Sequence, residues 1–135
     1  MPFTLAWEPG GVYRRYVGRV TAKERERSFD LICGDPRFDD LRFSITDYLA
    51  VDDYEISADA TEEIAARHIA PLRTNPHIVI AAVVVDARII AAIEHFIALR
   101  FIAQAYRIFA TVDEARAWIA EQPSALRLPQ PPRST

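Results

Sequence analysis

The residue types that most often carry catalysis or metal binding occur in this sequence without the spacing that such chemistry requires. His68, His77 and His95 lie 9 and 18 residues apart, and Cys33 is the single cysteine, so no pair of ligands has a zinc-site spacing. No Gly-x-Ser-x-Gly turn is present, and none of the 4 glycines opens a helix after a strand, where a phosphate would bind. The sequence therefore predicts no catalytic residue, no metal site and no cofactor, and a protein that is not an enzyme.

Arginines are the next group that could bind a ligand, because the guanidinium group donates two parallel hydrogen bonds to a carboxylate or a phosphate. The sequence has 15 arginines and a single lysine. Arg14, Arg15 and Arg19 cluster on one predicted strand and form a candidate anion-binding group. The alternative, which we favour, is that these charges protect a sheet edge from aggregation, since neighbouring strand positions point to opposite faces.

An acidic segment with two tyrosines begins at the end of the strand predicted at residues 41–49 and continues beyond it. It consists of Asp47, Tyr48, Asp52, Asp53 and Tyr54. Loops beyond the carboxyl ends of strands bind ligands in open α/β sheets, and aromatic side chains anchor protein interfaces. We therefore expect either a ligand-binding or partner-binding loop, or a loop that is only solvated.

An apolar stretch at residues 87–103 is predicted to be a helix. Its apolar residues occupy more than one helix face, whereas a surface helix needs an apolar arc of only about 100°. The surplus predicts a second burial partner, and the residues expected to contact it are Ile89, Ile93, Phe96, Ile97 and Phe101. That partner is either a second copy of the chain, because most oligomers are symmetric dimers, or a small apolar molecule or lipid held beneath the helix.

Hydrophobic periodicity predicts the elements that position these residues. The β-branched run at 78–85 is typical of a strand buried on both faces. Thr21 with Glu24, and Thr111 with Glu114, have the spacing of a capping box at a helix start. The predicted order is β-β-α-β-α-β-α-β-α, an α/β fold. Strands are expected at 3–8, 12–20, 41–49, 78–85 and 106–109, with helices beginning near 21, 58, 87 and 111.

Composition indicates one ordinary domain. The chain has 135 residues, 50% of them hydrophobic, and a formal net charge of -3, which argues against general nucleic-acid binding. No signal peptide or transmembrane segment is recognisable, and a lone cysteine forms no internal disulfide, so we expect a cytoplasmic protein. Residues 1–122 are expected to form the domain, and the proline-rich residues 123–135 a disordered tail.

Several segments, taken in order, resemble the SpoIIAA-like family of the STAS (anti-sigma-factor-antagonist) superfamily. They are the hairpin ending Val17-Gly18-Arg19-Val20-Thr21, the Asp35-Pro36-x-Phe38 segment, the strand running into Asp47, the apolar strand at 78–85, and the ending Phe109-x-Thr111-x-x-Glu114-Ala115-x-x-Trp118-Ile119. The resemblance covers nearly all of residues 3–121. It implies a four- or five-stranded mixed sheet with helices mainly on one face.

The resemblance also implies a mode of action. Well-studied STAS proteins bind a partner, often a regulatory kinase, and are switched by phosphorylation of a serine in an Asp-Ser-Ser/Thr-Gly motif. Here the corresponding segment reads Asp47-Tyr48-Leu49-Ala50-Val51, so the serine and the glycine are absent, and helix capping accounts for Ser57. The sequence therefore predicts a non-enzymatic binding module with a regulatory or scaffolding role. The protein is expected to form a homodimer and to bind a protein partner that the sequence does not identify. The alternative is the carrier of a small apolar molecule.

Overall fold

The computed structural model describes residues 2–123 and follows the predicted order of elements. The strands in this range are β1 (Phe3–Glu8), β2 (Gly11–Thr21), β3 (Phe43–Glu55), β4 (Val79–Val83) and β5 (Tyr106–Phe109). The α-helices are α1 (Ala22–Cys33), α2 (Ala58–Thr74), α3 (Ala87–Ala98) and α4 (Val112–Ala120), and a short 3₁₀ helix spans Pro36–Asp40. Apart from Pro123, the predicted proline-rich tail lies outside the described residues.

All five strands form one sheet in chain order, β1-β2-β3-β4-β5. β1 and β2 form an antiparallel hairpin whose turn contains Gly10, with a φ of 72° that suits glycine. The pairs β2–β3, β3–β4 and β4–β5 are parallel, because a helix separates each strand from the next along the chain. The predicted mixed α/β sheet is therefore confirmed.

The two faces of the sheet are covered unequally. On β4, Val79, Ala81 and Val83 pack against α4, whereas Ile80 and Ala82 point to the opposite side. We call the α4 side the outer face and the opposite side the inner face, which is covered by α1, α2 and α3. Three of the four helices therefore lie on one face, as the resemblance implied.

The first predicted capping box is formed completely, whereas the second is formed only in part, since the Thr111 hydroxyl accepts from the Glu114 N–H at 3.2 Å but no return bond from Glu114 is present. The Thr21 hydroxyl accepts from the Glu24 N–H, and the Glu24 carboxylate accepts from the Thr21 N–H at 3.0 Å, which completes a capping box. The Ser57 hydroxyl accepts from the Ala60 N–H at 3.1 Å at the start of α2. None of the helices in the described part of the chain combines the length and hydropathy that a membrane crossing requires.

The segment predicted to be an acidic loop is a strand, and that prediction is wrong. β3 continues past residue 49 to Glu55 and pairs with β2 as far as the Thr21–Glu55 pair. The pairing shifts between Arg15 and Val17 and again between Gly18 and Arg19. The composition of the segment resembles a loop, but the long β2 beside it supplies partners for its backbone N–H and C=O groups.

Candidate functional site

The inner face of the sheet contains two buried arginines. Arg14 lies on β2 and Arg25 on α1, and each residue keeps only 5% of its surface exposed. Within residues 2–123 neither of them forms a salt bridge. Burying an ion without a counter-charge is costly, several kcal/mol per ion, so this pair distinguishes the inner face from an ordinary apolar core.

Hydroxyl groups, and not carboxylates, hydrogen-bond Arg14. Its Nε and Nη2 donate to Thr46 Oγ1 at 3.2 and 2.9 Å, and its Nη1 donates to Ser28 Oγ at 2.9 Å. Ser28 Oγ donates its one hydrogen to the Arg25 carbonyl at 3.0 Å. The Tyr16 hydroxyl, 2.6 Å from Ser28 Oγ, must therefore be the donor of that pair. These bonds hold the guanidinium in a fixed orientation and leave its charge uncompensated.

Arg25 is held less completely than Arg14. Its Nη1 donates to the Tyr48 hydroxyl at 2.6 Å, but its buried Nε has no hydrogen-bond partner. Burial raises the pKa of the Tyr48 phenol well above its ordinary value, so Tyr48 stays protonated and contributes no negative charge. An unpaired buried donor costs about 1–3 kcal/mol, and Arg25 therefore has both charge and hydrogen-bonding capacity to spare.

His68 on α2 borders the two arginines. Its Nδ1 lies 2.7 Å from the Ile64 carbonyl oxygen, so Nδ1 carries the ring proton and Nε2 is an acceptor. The ring stacks on Phe29 with centroids 3.7 Å apart. Burial, and after it the charge of Arg25, lowers the pKa of His68 to about 3. The imidazole is therefore neutral at physiological pH and adds no third positive charge.

A cavity of about 30 Å³, which we call the arginine cavity, lies among these side chains. Its polar lining residues are Arg14, Arg25, His68, Ser44 and, from β5, Tyr106. Its apolar walls come from α1, α2, the 3₁₀ helix and β4, and include Phe29, Ile32, Phe38, Leu72 and Ile80. A space of this size holds about two water-sized groups. The arginine cavity is thus a small pocket with positive side chains and largely apolar walls.

The structure does not bring the three predicted anion-binding arginines together. Arg14 lies on the inner face, whereas Arg15 and Arg19 are exposed and, by strand alternation, point to the outer face. Arg19 hydrogen-bonds Glu55 and lies 4.0 Å from Asp53. The hydrogen bond with Glu55 raises the pKa of Arg19. The predicted cluster is therefore divided, and of the three arginines Arg14 is the one that lines the arginine cavity.

The predicted acidic and aromatic set is divided as well. The rings of Tyr48 and Tyr54 pack in the inner core, with centroids 6.1 Å apart. Asp52 is exposed, and Asp53 lies 4.0 Å from Arg19 across the β2–β3 pair. The two tyrosines therefore belong to the core, and the two aspartates to the surface.

Asp47, the fifth member of that set, is buried with 5% of its surface exposed. Its carboxylate accepts a hydrogen bond from the Tyr13 hydroxyl and another from the Leu49 N–H, the latter at 2.8 Å. Burial, and after it the contact with Asp47, raises the pKa of Tyr13 to about 12. Asp47 thus lies on the outer side of the sheet, away from the arginine cavity.

Helix α3 buries most of its apolar surplus inside the chain. Ile89 and Ile93 pack against the sheet, and Phe96 packs against Ile64 of α2. Because α3 contacts two neighbours, its apolar arc must be wider than that of a helix with one neighbour. Three of the five predicted interface residues are therefore core residues here, and a second copy cannot reach them. Ile97 stays exposed at 36%. The helix predicted at 87–103 ends at Ala98, so Phe101, exposed at 41%, lies beyond it.

The space beneath α3 leaves no room for the apolar ligand expected there as an alternative. The side chains around it, which include Ile93, Phe96 and Tyr106, reduce the cavity volume to about 0 Å³. The Phe96 ring lies 5.4 Å from the Tyr106 ring and 5.0 Å from the His68 ring, measured between centroids. The structure gives that expectation no support, because aromatic packing already fills this part of the inner face.

Part of the outer face has no helix over it. α4 packs on the β3–β4 part of this face, whereas Val17, Leu49 and Val85 are exposed by 43%, 47% and 65%. Val17 and Leu49 directly follow the inner-face residues Tyr16 and Tyr48 and therefore point to the outer face, and Val17 pairs with Ala50, the neighbour of Leu49. Val85 lies two residues beyond Val83, the outer-face residue that ends β4. We call these three residues the outer patch.

Sequence reasoning missed the site residues Arg25, Ser28 and Thr46. One signal was available, because Arg25 shares a helix face with Phe29 and Ile32 in the sequence, and a charge within an apolar stripe indicates a buried polar site. No comparable signal marks Thr46. Its contact with Arg14 depends on the register between β2 and β3, which periodicity does not specify.

Comparisons with known proteins bear on the architecture. No protein-family model matches the sequence, and no curated protein matches it. Among solved structures, the anti-sigma factor antagonist SpoIIAA in its unphosphorylated form aligns with a TM-score of 0.62 and 11% identity, over 89% of this chain and 99% of that chain.

Two further structures agree with it. A DUF3478-family protein of uncharacterised function with a SpoIIAA-like fold, from Shewanella loihica PV-4, has a TM-score of 0.55 and 13% identity, over 87% of this chain and 91% of that one. An anti-sigma factor antagonist from Mycobacterium paratuberculosis has a TM-score of 0.56 and 12% identity, over 88% and 93%. Coverage is nearly complete in both directions, while identities this low bear on architecture alone. The five-stranded mixed sheet with three helices on one face is therefore a SpoIIAA-like fold.

Proposed function

We propose that this protein is a non-enzymatic regulatory or scaffolding module that acts by binding a protein partner. Two of the three similar structures named above are anti-sigma factor antagonists, which supports a regulatory role exerted on another protein. Because one fold hosts many functions, the proposal also needs a surface on this chain. The outer patch is the observation that supplies it.

The outer patch has the composition of a binding surface. Val17, Leu49 and Val85 account for three of the six large hydrophobic side chains that are exposed in the described residues. Arg15 and Arg19 are exposed on the same face and provide a charged rim. Protein interfaces combine an apolar centre with a polar rim, and exposed apolar groups that gather on one face mark interaction sites.

Site-specific photo-crosslinking tests this surface. A photoreactive amino acid replaces Leu49 in one variant and Leu31 in the control, since both leucines are 47% exposed but Leu31 lies on α1. In cells of the source organism we expect a discrete protein adduct from position 49 and none from position 31. Leu49→Arg should reduce recovery of that same protein by about tenfold or more, as loss of an interface anchor does. Equal labelling from both positions, or unchanged recovery, contradicts the proposal.

We further propose that the chain forms a homodimer through Ile97 and Phe101. Ile97 on α3 and Phe101, which lies just beyond the end of α3, are both exposed, and Phe101 borders a surface groove of about 470 Å³. Sedimentation equilibrium should show a dimer for the wild-type chain and for Leu31→Glu, and a monomer for Phe101→Glu. A wild-type chain that stays monomeric at every concentration, or a Phe101→Glu variant that stays dimeric, contradicts this interface.

A further inference from the structure

We propose that the arginine cavity binds a small monovalent anion, either free chloride or the carboxylate group of a small acid, between Arg14 and Arg25. Both side chains line the cavity, and each residue has only 5% of its surface exposed. The inference is independent of the proposed function, because it concerns the inner face and the outer patch lies on the other side of the sheet.

The charge balance of the inner face supports an anion. Each of the 19 aspartates and glutamates of the sequence lies between Glu8 and Glu121, within the described residues, yet none forms a salt bridge with Arg14 or Arg25. Buried charges in proteins are normally paired. The chain itself therefore supplies no counter-charge for the two positive charges inside this fold.

The hydrogen-bond inventory supports the same conclusion. A guanidinium group has five N–H donors, and Arg14 uses three of them on Thr46 and Ser28. Arg25 uses one on Tyr48, and its buried Nε has no partner. Spare donors on two cations beside one cavity are the groups that an anion needs, because hydrogen bonds between charged partners are the strong ones.

The size and walls of the arginine cavity define the class of anion. A cavity of about 30 Å³ admits a single chloride ion or one carboxylate group and is too small for a phosphate ester. Its apolar walls, including Ile32, Leu72 and Ile80, provide no hydration, so an anion that loses its water readily is favoured. An acid with a longer apolar chain needs the walls to open.

Thermal unfolding at constant ionic strength tests the proposal on the full chain. Sodium gluconate, whose anion is too bulky for the cavity, is replaced stepwise by chloride, acetate or hexanoate. A ligand that binds only the folded state raises Tm with the logarithm of its concentration, so we expect a rise in at least one series. A rise in chloride alone identifies the inorganic ion. A larger rise of Tm in acetate than in chloride identifies a carboxylate. A still larger rise of Tm in hexanoate identifies a carboxylate with an apolar chain.

Arg25→Met is the main variant, and Arg15→Met is its matched control because Arg15 is exposed and points away from the cavity. Losing one charge-assisted contact should weaken anion binding about tenfold or more, while Arg15→Met should respond as the wild type does. In gluconate, Arg25→Met should be at least as stable as the wild type, since it removes an uncompensated buried charge. A variant that only loses a structural contact would be less stable in every salt.

Chlorine NMR on the wild-type chain keeps the test independent of how the variants fold. Bound chloride broadens the ³⁵Cl signal, and acetate should reverse the broadening if both occupy the same site. Anion binding should also shift the ring resonances of His68, which lines the cavity. The proposal is overturned if no anion changes Tm and no broadening is seen, which would mean that the cavity holds only water, or if Arg25→Met and Arg15→Met respond equally.

Discussion

Arginine side chains have opposite environments on the inner and outer faces of the sheet. On β2, Arg14 points to the inner face and Arg19 to the outer face. Arg19 hydrogen-bonds the carboxylate of Glu55, whereas Arg14 hydrogen-bonds the hydroxyl groups of Thr46 and Ser28 and lies over the Tyr16 ring. An arginine at the surface thus has a counter-charge that water could replace, and the one in the core has none.

This difference shows that charge pairing and stability are separate properties in this fold. Exposed ion pairs contribute about 0–1 kcal/mol, because water solvates both partners when they separate. In the core, each hydrogen bond to a charged group contributes about 1.5–3 kcal/mol, because no water replaces it. The neutral hydroxyls around Arg14 should therefore affect stability more than the carboxylates around the outer arginines.

Of the substitutions considered, Thr46→Val should cause the largest loss of stability. Valine has nearly the shape of threonine, but it removes the acceptor of the Arg14 Nε and Nη2 hydrogen bonds. We expect the free energy of unfolding to fall by about 3 kcal/mol, since a buried guanidinium loses two charge-assisted contacts. Urea denaturation measures this change.

Thr4→Val is the matched control, because Thr4 lies exposed on β1, where surface substitutions change stability by about 0.5 kcal/mol or less. In the Arg14→Met, Thr46→Val double variant both partners are removed, so most of the stability lost in Thr46→Val should return. An equal loss for Thr46→Val and Thr4→Val would remove the distinction between the two faces.

Lowering the pH should destabilise the inner face through His68. Its pKa is about 3 in the folded chain, compared with about 6.5 when the chain is unfolded. Below pH 6.5 the unfolded chain binds a proton that the folded chain does not, so stability falls by about 1.4 kcal/mol per pH unit until the folded pKa is reached. Between pH 7 and pH 5 this amounts to about 2 kcal/mol.

His68→Phe should lose the part of the pH dependence of stability that comes from His68, because phenylalanine does not titrate. Its ring can keep the stacking contact with Phe29. His77→Gln is the control, since His77 is exposed, and it should keep the wild-type slope. Denaturation curves at pH 7, 6 and 5 compare the three proteins. If His68→Phe retains the full slope, the pH response comes from another group and the inner face is not its source.

The sequence predicted the order of elements well because that order depends on local signals. The Thr21 and Glu24 capping box lies within four residues and is formed as expected, and the β-branched run at 78–85 contains β4. The full length of β3 could not be predicted in the same way. Its acidic end becomes a strand because β2 lies alongside it, and this contact joins residues far apart in the chain.

The candidate site was predictable only in part, for the same reason. The position of Arg25 on an apolar helix face is a local signal of a buried charge, although Arg25 was not among the predicted site residues. That Arg14 would lie on the same side, and Arg15 and Arg19 on the other, depends on which face of β2 the helices cover. For α3, periodicity showed the surplus of apolar residues, but it could not show that α2 is the second partner of Phe96.

Arg116→Met should cause the smallest loss of stability of the series. It tests an ion pair on the outer face against the buried contacts of Arg14 on the inner face. Arg116 of α4 donates two hydrogen bonds to the Glu8 carboxylate of β1, at 2.7 and 3.0 Å, and so joins two distant elements. Despite this geometry, we expect a loss of only about 0.5–1 kcal/mol, because both side chains remain in contact with water. Added salt should reduce the loss further, since it screens exposed charges. Denaturation at low and high salt measures both values. A loss as large as that of Thr46→Val, or one that salt leaves unchanged, would mean that this pair is shielded from water like the inner face, and that solvent access does not separate the two faces.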